Sequence, residues 1–198
     1  MGLDLNYIYG QTPIDEDEKE GLLIQTISTR GELDEFEQYN IEKAVEWTLK
    51  NKFKLERILT KDFILKVHHR MFNEVWSWAG KYRKTNKNIG VDKYQIAIEL
   101  KYLLDDCKYW INNKIYNNDE IAIIFKHRIV KTHLFPNGNG RHSRLCGDIL
   151  ISHGLGYPVF TWGGADLNKK GEARKKYMDA IYNADNNNYK PLIEFARS

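Results

Sequence analysis

The chain has 198 residues, of which 42% are hydrophobic and 29% are charged, and its formal net charge is +3. This length suits one domain with a buried core, and so small a charge excess does not by itself imply nucleic acid as a partner. No apolar run approaches the roughly 18 residues that a membrane-spanning helix needs, and the acidic N-terminal sequence lacks the apolar region of a signal peptide. We therefore expect a cytoplasmic protein without a membrane segment.

The N-terminal part of the chain predicts an arm followed by two helices. Residues 1–27 contain too many apolar side chains for a solvated tail, so we expect them to lie along the body of the protein. Thr29 and Glu32 have the spacing of a capping box, which is typical of a helix start. Thr60 precedes a second run of apolar residues at helical spacing and is expected to begin the second helix.

The middle of the chain predicts a flap and a third helix. Residues 76–97 lose the helical period and contain aromatic residues, Lys-Asn-rich turns and Gly90, which is typical of a loop or a short β-hairpin. Apolar residues from Leu100 to Ile111 then return to the helical period and predict the third helix.

The C-terminal half predicts four or more further helices. Asp119 is positioned to cap a fourth helix, and a fifth is expected to begin near Gly138 and to end at Gly154. Residues 166–184 and 190–197 are expected to form the last helices. The pattern as a whole predicts a mainly helical domain with one small extended flap.

A basic window lies in the second half of the chain. Glu120 and Asp148 are its borders, and no acidic residue lies between them. The window contains five cationic residues and three histidines: Lys126, Arg128, Lys131, Arg141, Arg144, His127, His133 and His142. A local anion-binding site is therefore expected, although the chain as a whole is nearly neutral.

The segment from His133 to Arg144 contains the parts of a phosphate-transfer site. Gly138 and Gly140 lie where the fifth helix is expected to begin, and the first N–H groups of a helix have no internal partner. Such donors suit phosphate oxygens, and Arg141 and Arg144 can reach the same side of the helix start. A neutral His133 on the other side of the loop can accept a proton from a hydroxyl group.

The string His-x-Phe-x-x-Gly-Asn-Gly-Arg-x-x-Arg, from His133 to Arg144, resembles the signature of the Fic (Fido) family. The WAGKYR sequence at 78–83 resembles the flap region of that family, and residues 177–195 resemble its C-terminal helices. The N-terminal arm and the sequence TRGELDEFEQYNI resemble the subgroup called mobile mystery protein B. The match to this subgroup extends over nearly the whole chain.

The resemblance implies an all-α, Fic-type helical bundle with a small β-hairpin flap. Residues 1–58 would form an N-terminal arm and helix, which could be inhibitory, and residues 59–198 the Fido domain. It also implies transfer of AMP from ATP, with Mg²⁺, to a Ser, Thr or Tyr hydroxyl group of a target protein.

The resemblance also assigns roles to individual residues. His133 would be the general base, and Phe135 would anchor the loop in the core. The nucleotide would be bound by Gly138, Asn139, Gly140, Arg141, Arg144 and Tyr177, with Arg144 on the γ-phosphate. The flap residues Asn88, Ile89, Gly90 and Val91 would align the target segment by strand-like pairing.

The sequence departs from the family pattern at Asn137, where most members have a carboxylate that holds Mg²⁺. An amide oxygen can coordinate magnesium but brings no charge, so the metal would depend more on the nucleotide. Glu32 is the candidate for an inhibitory glutamate, because Ser28-x-x-x-Glu32 matches the first part of the family's inhibitory pattern, although Leu33 replaces the usual Gly or Asn. The capping box alone also explains Glu32.

Other interpretations stay open. The same site could transfer UMP, phosphocholine or phosphate, or remove AMP, and a module that senses nucleotide without catalysis is a further alternative. A nucleic-acid-binding role is disfavoured, because the basic residues concentrate at one loop. The sequence does not name the target, and it leaves open an antitoxin-like partner and a homodimer.

Overall fold

The computed structural model of the protein describes residues 13–164, 167 and 171–198. Residues 1–12 of the predicted N-terminal arm, and residues 166 and 168–170 of the predicted 166–184 helix, lie outside the described residues. Within them the protein consists of helices and irregular loops. The helices are α1 (Glu16–Lys19), α2 (Arg30–Lys50), α3 (Leu55–Ile58), α4 (Lys61–Phe72), α5 (Ile96–Asn113), α6 (Asn118–Thr132), α7 (Asn139–Ile149), α8 (Glu172–Asp185) and α9 (Lys190–Arg197). A π-helical turn, Leu150–Gly154, continues α7, and a 3₁₀ turn spans Trp162–Gly164.

The capping residues confirm how the sequence starts two of these helices. Thr29 accepts a hydrogen bond from the backbone N–H of Glu32 and begins α2, and Thr60 accepts one from Phe63 and begins α4. The start of α6 differs from the prediction: Asn117 and not Asp119 is its N-cap residue. Asn117 forms a full capping box with Glu120, which satisfies two backbone N–H groups instead of one.

The flap is an irregular loop, which corrects the expectation of a β-hairpin. The pairing found among the described residues is a single antiparallel bridge between Leu22 and Trp76, which joins the start of residues 76–97 to the N-terminal segment and not to another part of the flap. Residues 84–91 instead make isolated contacts with the C-terminal end of α6, such as the hydrogen bond from Val91 N to Thr132 O at 3.4 Å. A hairpin needs a continuous ladder of hydrogen bonds between two neighbouring strands, and these contacts do not form one.

Helix α6 lies between two apolar clusters and positions the loop that follows it. Its residues Ile121, Phe125 and Ile129 belong to the main core, which also contains side chains of α2, α4, α5 and α7. Ala122 and Ile123 belong to a smaller core formed with α8 and α9. Because α6 is fixed from both sides, its C-terminal end is a rigid support for the residues after it.

The predicted boundary between residues 58 and 59 stays a prediction. Leu33 and Ala44 of α2 are buried in the same core as Phe63 and Val67 of α4. The described part of the N-terminal segment thus packs against the body of the protein. No described helix is long and apolar enough to cross a membrane.

Candidate active site

A cavity of about 1570 Å³ lies where α2, α6, α7, α8 and the flap meet. The predicted base, the predicted nucleotide-binding residues and the predicted flap residues all line it: His133, Asn137, Gly138, Asn139, Gly140, Arg141, Arg144, Tyr177 and residues 88–91. Glu32 is not part of this lining. The volume suits a nucleotide together with a short segment of another chain.

The loop between α6 and α7 is held by its own side chains. Gly138 has a φ of 77°, and a Cβ atom there would lie 2.5 Å from the ring of Phe72, so glycine is required for both reasons. The side chain of Asn139 accepts a hydrogen bond from Phe135 N at 2.9 Å and donates one to Phe135 O at 2.8 Å. Asn139 therefore fixes the loop with its amide group and offers a ligand only its backbone N–H.

The start of α7 presents unfilled backbone donors to the cavity. The first hydrogen bond within the helix runs from His142 N to Gly138 O at 2.9 Å. The N–H groups of residues 139–141 precede this pattern, and the N–H of Gly138 is taken by Asn137 Oδ1 at 2.6 Å. Three backbone donors and the positive end of the helix dipole are thus available for an anion.

His133, the predicted base, has two ring nitrogens without a hydrogen-bond partner among the described residues. It ends α6 in the left-handed conformation, with a φ of 56°, and only 4% of its surface is exposed. Neither Nδ1 nor Nε2 has a hydrogen-bond partner among the described residues. Burial, with the nearby charges of Arg83 and Lys87, lowers the pKa of His133 to about 4. At neutral pH the imidazole is unprotonated, as a proton acceptor must be.

Arg83 ties the flap to the base. Its Nε donates to His133 O at 2.7 Å, its Nη1 donates to Thr85 O at 2.7 Å, and its Nη2 donates to Val91 O. The backbone N–H of Arg83 also donates to Leu134 O at 3.0 Å. One buried guanidinium therefore connects the two ends of the flap with the turn that carries the imidazole.

Gly90 brings the flap into direct contact with the base. A Cβ atom at Gly90 would lie 2.5 Å from His133 Cβ, and its φ is 92°. The other side of the flap is held by α1, where Lys87 Nζ lies 2.8 Å from Asp15 Oδ2 and 2.5 Å from Glu18 Oε2. The flap is consequently anchored on both sides although it forms no strand among the described residues.

The opposite end of the cavity is cationic. Arg144 lies over the ring of Tyr177, with 5.6 Å between the guanidinium carbon and the ring centroid, and Lys126 Nζ donates to Tyr177 Oη at 2.5 Å. Burial lowers the pKa of Lys126. Burial by itself would raise the pKa of Tyr177, but the charges of Lys126 and Arg144 outweigh it and lower that pKa. The hydroxyl of Tyr177 is thus the acceptor for a buried ammonium group.

A carboxyl group supports the wall beside this end. Both oxygens of Asp148 accept from Trp162 Nε1 at 3.1 Å, and Trp162 lines the cavity. Burial raises the pKa of Asp148 to about 7, although the hydrogen bond from Trp162 acts in the opposite direction. The charge of this group therefore changes near neutral pH.

Glu32 lies away from both loop arginines. Its Oε2 accepts from Ser28 N at 2.9 Å, from Ser28 Oγ at 3.1 Å and from Thr29 N at 3.0 Å, and its side chain is exposed. These hydrogen bonds lower the pKa of Glu32. The capping interpretation thus accounts for Glu32, and the structure gives no contact for an inhibitory role. Among the described residues, Glu37 is a carboxylate that does contact a loop arginine, with its Oε2 2.6 Å from Arg141 Nη2.

Comparisons with known proteins agree with this geometry. A family model described as the Fic/DOC family matches residues 58–151, which include the whole loop. This match indicates a Fic/DOC domain in residues 58–151. The narrower assignment to the mobile mystery protein B subgroup stays a prediction.

Curated Fic proteins are similar over most of this chain. The protein named protein adenylyltransferase Fic from Aedes aegypti is 27% identical over 157 residues, which are 77% of this chain and 29% of the relative. The protein of the same name from Nematostella vectensis is 22% identical over 167 residues, or 82% of this chain and 37% of the relative. The chain therefore spans about a third of the length of these relatives.

Solved Fic structures share the fold. Fic-1 from C. elegans superimposes with a TM-score of 0.65 at 21% identity, over 90% of this chain and 50% of that one. BepC from Bartonella tribocorum, solved with bound AMPPNP, gives a TM-score of 0.67 at 18% identity, over 92% of this chain and 97% of that one. The helical Fic fold expected from the sequence is confirmed.

Asn137 is poorly suited to hold a cation in this Fic domain. Its Oδ1 already accepts the N–H of Gly138 at 2.6 Å, and no carboxylate occurs between residues 133 and 144. No cluster of three or more His, Cys, Asp or Glu side chains that could hold a metal ion occurs among the described residues. The protein donors here do not fit a magnesium site of their own, since Mg²⁺ prefers carboxylates and phosphates.

Three supporting residues of the Fic site were not predicted as such. Arg83 belongs to the recognised WAGKYR sequence, and Lys126 is a lysine within the apolar run of α6, a signal that a buried partner is needed. The third of these residues is His68. Its Nδ1 accepts from Gly80 N at 2.9 Å, which leaves Nε2 as the donor to Asn137 O at 3.1 Å, so His68 holds the loop itself.

Proposed function

We propose that this protein is an adenylyltransferase that transfers AMP from ATP to a hydroxyl group of a target protein. The observation that carries the proposal is the arrangement of a neutral His133 and the donors of loop 138–144 in one cavity. The curated relatives are named for this activity, and one structural neighbour was solved with AMPPNP. A hydroxyl group of a Ser, Thr or Tyr side chain would enter beneath the flap.

The reaction needs a base on one side of the α-phosphorus and anion donors on the other. His133 accepts the proton of the attacking hydroxyl, whose oxygen forms a bond to the α-phosphorus. The bond from the α-phosphorus to the bridging oxygen breaks, and pyrophosphate leaves. The backbone N–H groups of residues 139–141 and the side chains of Arg141 and Arg144 stabilise the charge on the phosphates.

The proposal includes magnesium only as a partner of the nucleotide. Mg²⁺ bound to the ATP phosphates would neutralise part of their charge, and the chain itself would contribute at most the amide oxygen of Asn137. Every step assigned above to the protein uses its own side chains and backbone. The cytoplasmic location, the antitoxin-like partner and the homodimer expected from the sequence stay predictions.

The test follows radiolabel from ATP into protein. The purified chain and a lysate of candidate targets are incubated with ATP labelled at the α-phosphorus or, in a parallel sample, at the γ-phosphorus. AMP transfer predicts label from the α position alone, and phosphate transfer predicts label from the γ position. Mass spectrometry of the target protein, whether labelled or not, separates a gain of AMP from a gain of UMP, phosphocholine or phosphate.

The matched pair of variants is His133→Ala and His153→Ala, because His153 packs on Phe53 outside the cavity. We expect His133→Ala to lose α-label by about 100-fold or more, as removal of a general base does. His153→Ala should keep the wild-type rate. Equal labelling by the two variants would overturn the base assignment, and ATP binding without any transfer would favour the nucleotide-sensing alternative.

A further inference from the structure

Arg141 is held from the core side by a carboxylate. Its Nη2 lies 2.6 Å from Glu37 Oε2, and its guanidinium carbon lies 5.0 Å from the ring centroid of Phe72. The side chain of Glu37 is 2% exposed and that of Arg141 is 16% exposed. The arginine is therefore fixed at one edge and on one face, while part of it reaches the cavity.

Glu37 is itself locked in place. Its other oxygen, Oε1, accepts from Trp76 Nε1 at 2.7 Å in a buried hydrogen bond. Trp76 stacks on Trp78, with 4.8 Å between the ring centroids, and its backbone pairs with Leu22. The carboxylate therefore connects α2 with the segment after α4 and with α7, and it is itself almost fully buried.

The position of Glu37 relative to the cavity distinguishes a residue that supports Arg141 from one that blocks the site. Arg141 and Arg144 line the cavity, and so do the α2 neighbours Glu35 and Gln38. Glu37 is absent from the described lining, and its side chain is buried between Trp76 and Arg141. It occupies one nitrogen of a guanidinium that has five N–H donors, which leaves the remaining donors for a ligand.

A glutamate that blocks the site would need two properties that Glu37 lacks. It would have to occupy the volume where phosphate binds, and it would have to leave that volume when the enzyme is activated. Glu37 lies behind the arginine, and leaving would strand the buried indole N–H of Trp76 without its acceptor, at a cost typical of an unsatisfied buried donor.

We propose that Glu37, with Trp76, is a positioning residue that holds Arg141 in the orientation that binds phosphate and so supports nucleotide binding. This inference rests on the proposed function only in taking the ligand of the cavity to be ATP. It predicts that removing the negative charge weakens binding, whereas an inhibitory carboxylate predicts the reverse.

The experiment measures the affinity of the purified full chain for ATP and for adenosine by isothermal titration calorimetry. Glu37→Gln keeps the shape of the side chain and an acceptor for Trp76, and we expect ATP affinity to fall about 10-fold, or about 1.4 kcal/mol. Adenosine has no phosphate, so its affinity should stay unchanged. General damage to the fold would weaken both ligands, which separates a structural role from the positioning role.

Two further variants keep the test independent of folding. Trp76→Phe removes the indole N–H and keeps a ring in the core, and we expect a smaller loss of ATP affinity in the same direction. Glu46→Gln removes a carboxylate from the exposed face of α2, where Glu46 pairs with Lys50 at 3.0 Å, and should bind ATP as the wild type does.

A double-mutant cycle provides the last step. In the Arg141→Ala background, Glu37→Gln should have no additional effect on ATP affinity, because the residue through which it acts is gone. Tighter ATP binding by Glu37→Gln, unchanged binding, or an additive loss in the double variant would each overturn the inference. A wild type that does not bind ATP would overturn it together with the proposed function. If ATP binding falls as expected but no AMP is transferred, only the proposed reaction fails.

Discussion

The histidine end and the arginine end of the cavity satisfy their polar groups in different ways. At the histidine end the backbone is held tightly by Arg83, but both ring nitrogens of His133 are without partners among the described residues. At the arginine end Arg141 contacts Glu37, and Tyr177 accepts from Lys126. The imidazole of His133 is thus without a partner among the described residues, whereas Arg141 and Lys126 are oriented by buried neighbours.

This difference follows from what each end must do. A base must accept a proton, so its lone pair has to be available and its pKa must keep it neutral. A flexible cation loses conformational entropy when it becomes ordered on phosphate, which weakens binding. A cation that neighbouring residues already hold in the binding orientation avoids this loss. We therefore expect substitutions of supporting residues at the two ends to differ in their effects on transfer rate, ATP affinity and stability.

The largest effect is expected at Arg83. Arg83→Lys keeps the charge, but a single ammonium group cannot reach the three carbonyl groups of His133, Thr85 and Val91 at once. We expect a loss of at least about 2 kcal/mol in the free energy of unfolding and a fall in AMP transfer of 10-fold or more, with ATP affinity within about 2-fold of the wild type.

Urea denaturation and initial rates of label transfer measure these quantities. Arg70→Lys is the matched control, because Arg70 is exposed on α4 and lies over Trp47. If Arg83→Lys weakened ATP binding as strongly as it slowed transfer, the separation of the two ends would be wrong.

The next largest effect is expected on the stability of the protein, at the buried pair of Lys126 and Tyr177. Tyr177→Phe removes the acceptor of a fully buried ammonium group, and we expect a loss of about 1–3 kcal/mol in the free energy of unfolding. Lys126→Met removes the buried charge together with its need for a partner, so it should cost less. Denaturant unfolding of both variants decides the order, and a larger loss for Lys126→Met would contradict it.

The pH dependence of transfer tests the histidine end alone. Because the pKa of His133 is lowered to about 4, the base is neutral above that value and becomes protonated below it. With pre-bound ATP, the single-turnover rate should stay flat from about pH 8 to about pH 5 and fall at lower pH. A decline centred near pH 6.5 would show that burial does not depress this pKa.

The smallest effect is a pH-dependent change in stability at Asp148. Its pKa is raised from 3.8 to about 7, so between these values the folded state keeps a proton that the unfolded state has lost. This contribution to stability is therefore present at low pH and is lost as the pH rises towards 7. Asn cannot ionise, so the Tm of Asp148→Asn relative to the wild type should rise by a few degrees across this window.

Thermal unfolding in a series of buffers gives that difference. Asp179→Asn removes a carboxylate from α8 outside the described lining of the cavity and serves as the control. A pH-independent difference for Asp148→Asn would mean that Asp148 titrates alike in the folded and unfolded states.

The sequence by itself determined the elements that depend on neighbouring residues. Thr29 and Thr60 start their helices through bonds that span three residues, and the order from His133 to Arg144 fixes a base, a glycine turn and two cations on one short segment. Such local patterns can be recognised in the sequence because backbone geometry alone brings their residues together.

Only the tertiary structure decided which distant side chains meet. Glu32 and Glu37 lie on the same helix and look alike in the sequence, but the packing of α2 turns Glu37 towards Arg141 and leaves Glu32 as a cap. Tertiary packing also makes Tyr177 the acceptor for Lys126, and it gives the flap its irregular form. Ion-pair partners depend on how helices rotate and pack, which no local spacing encodes.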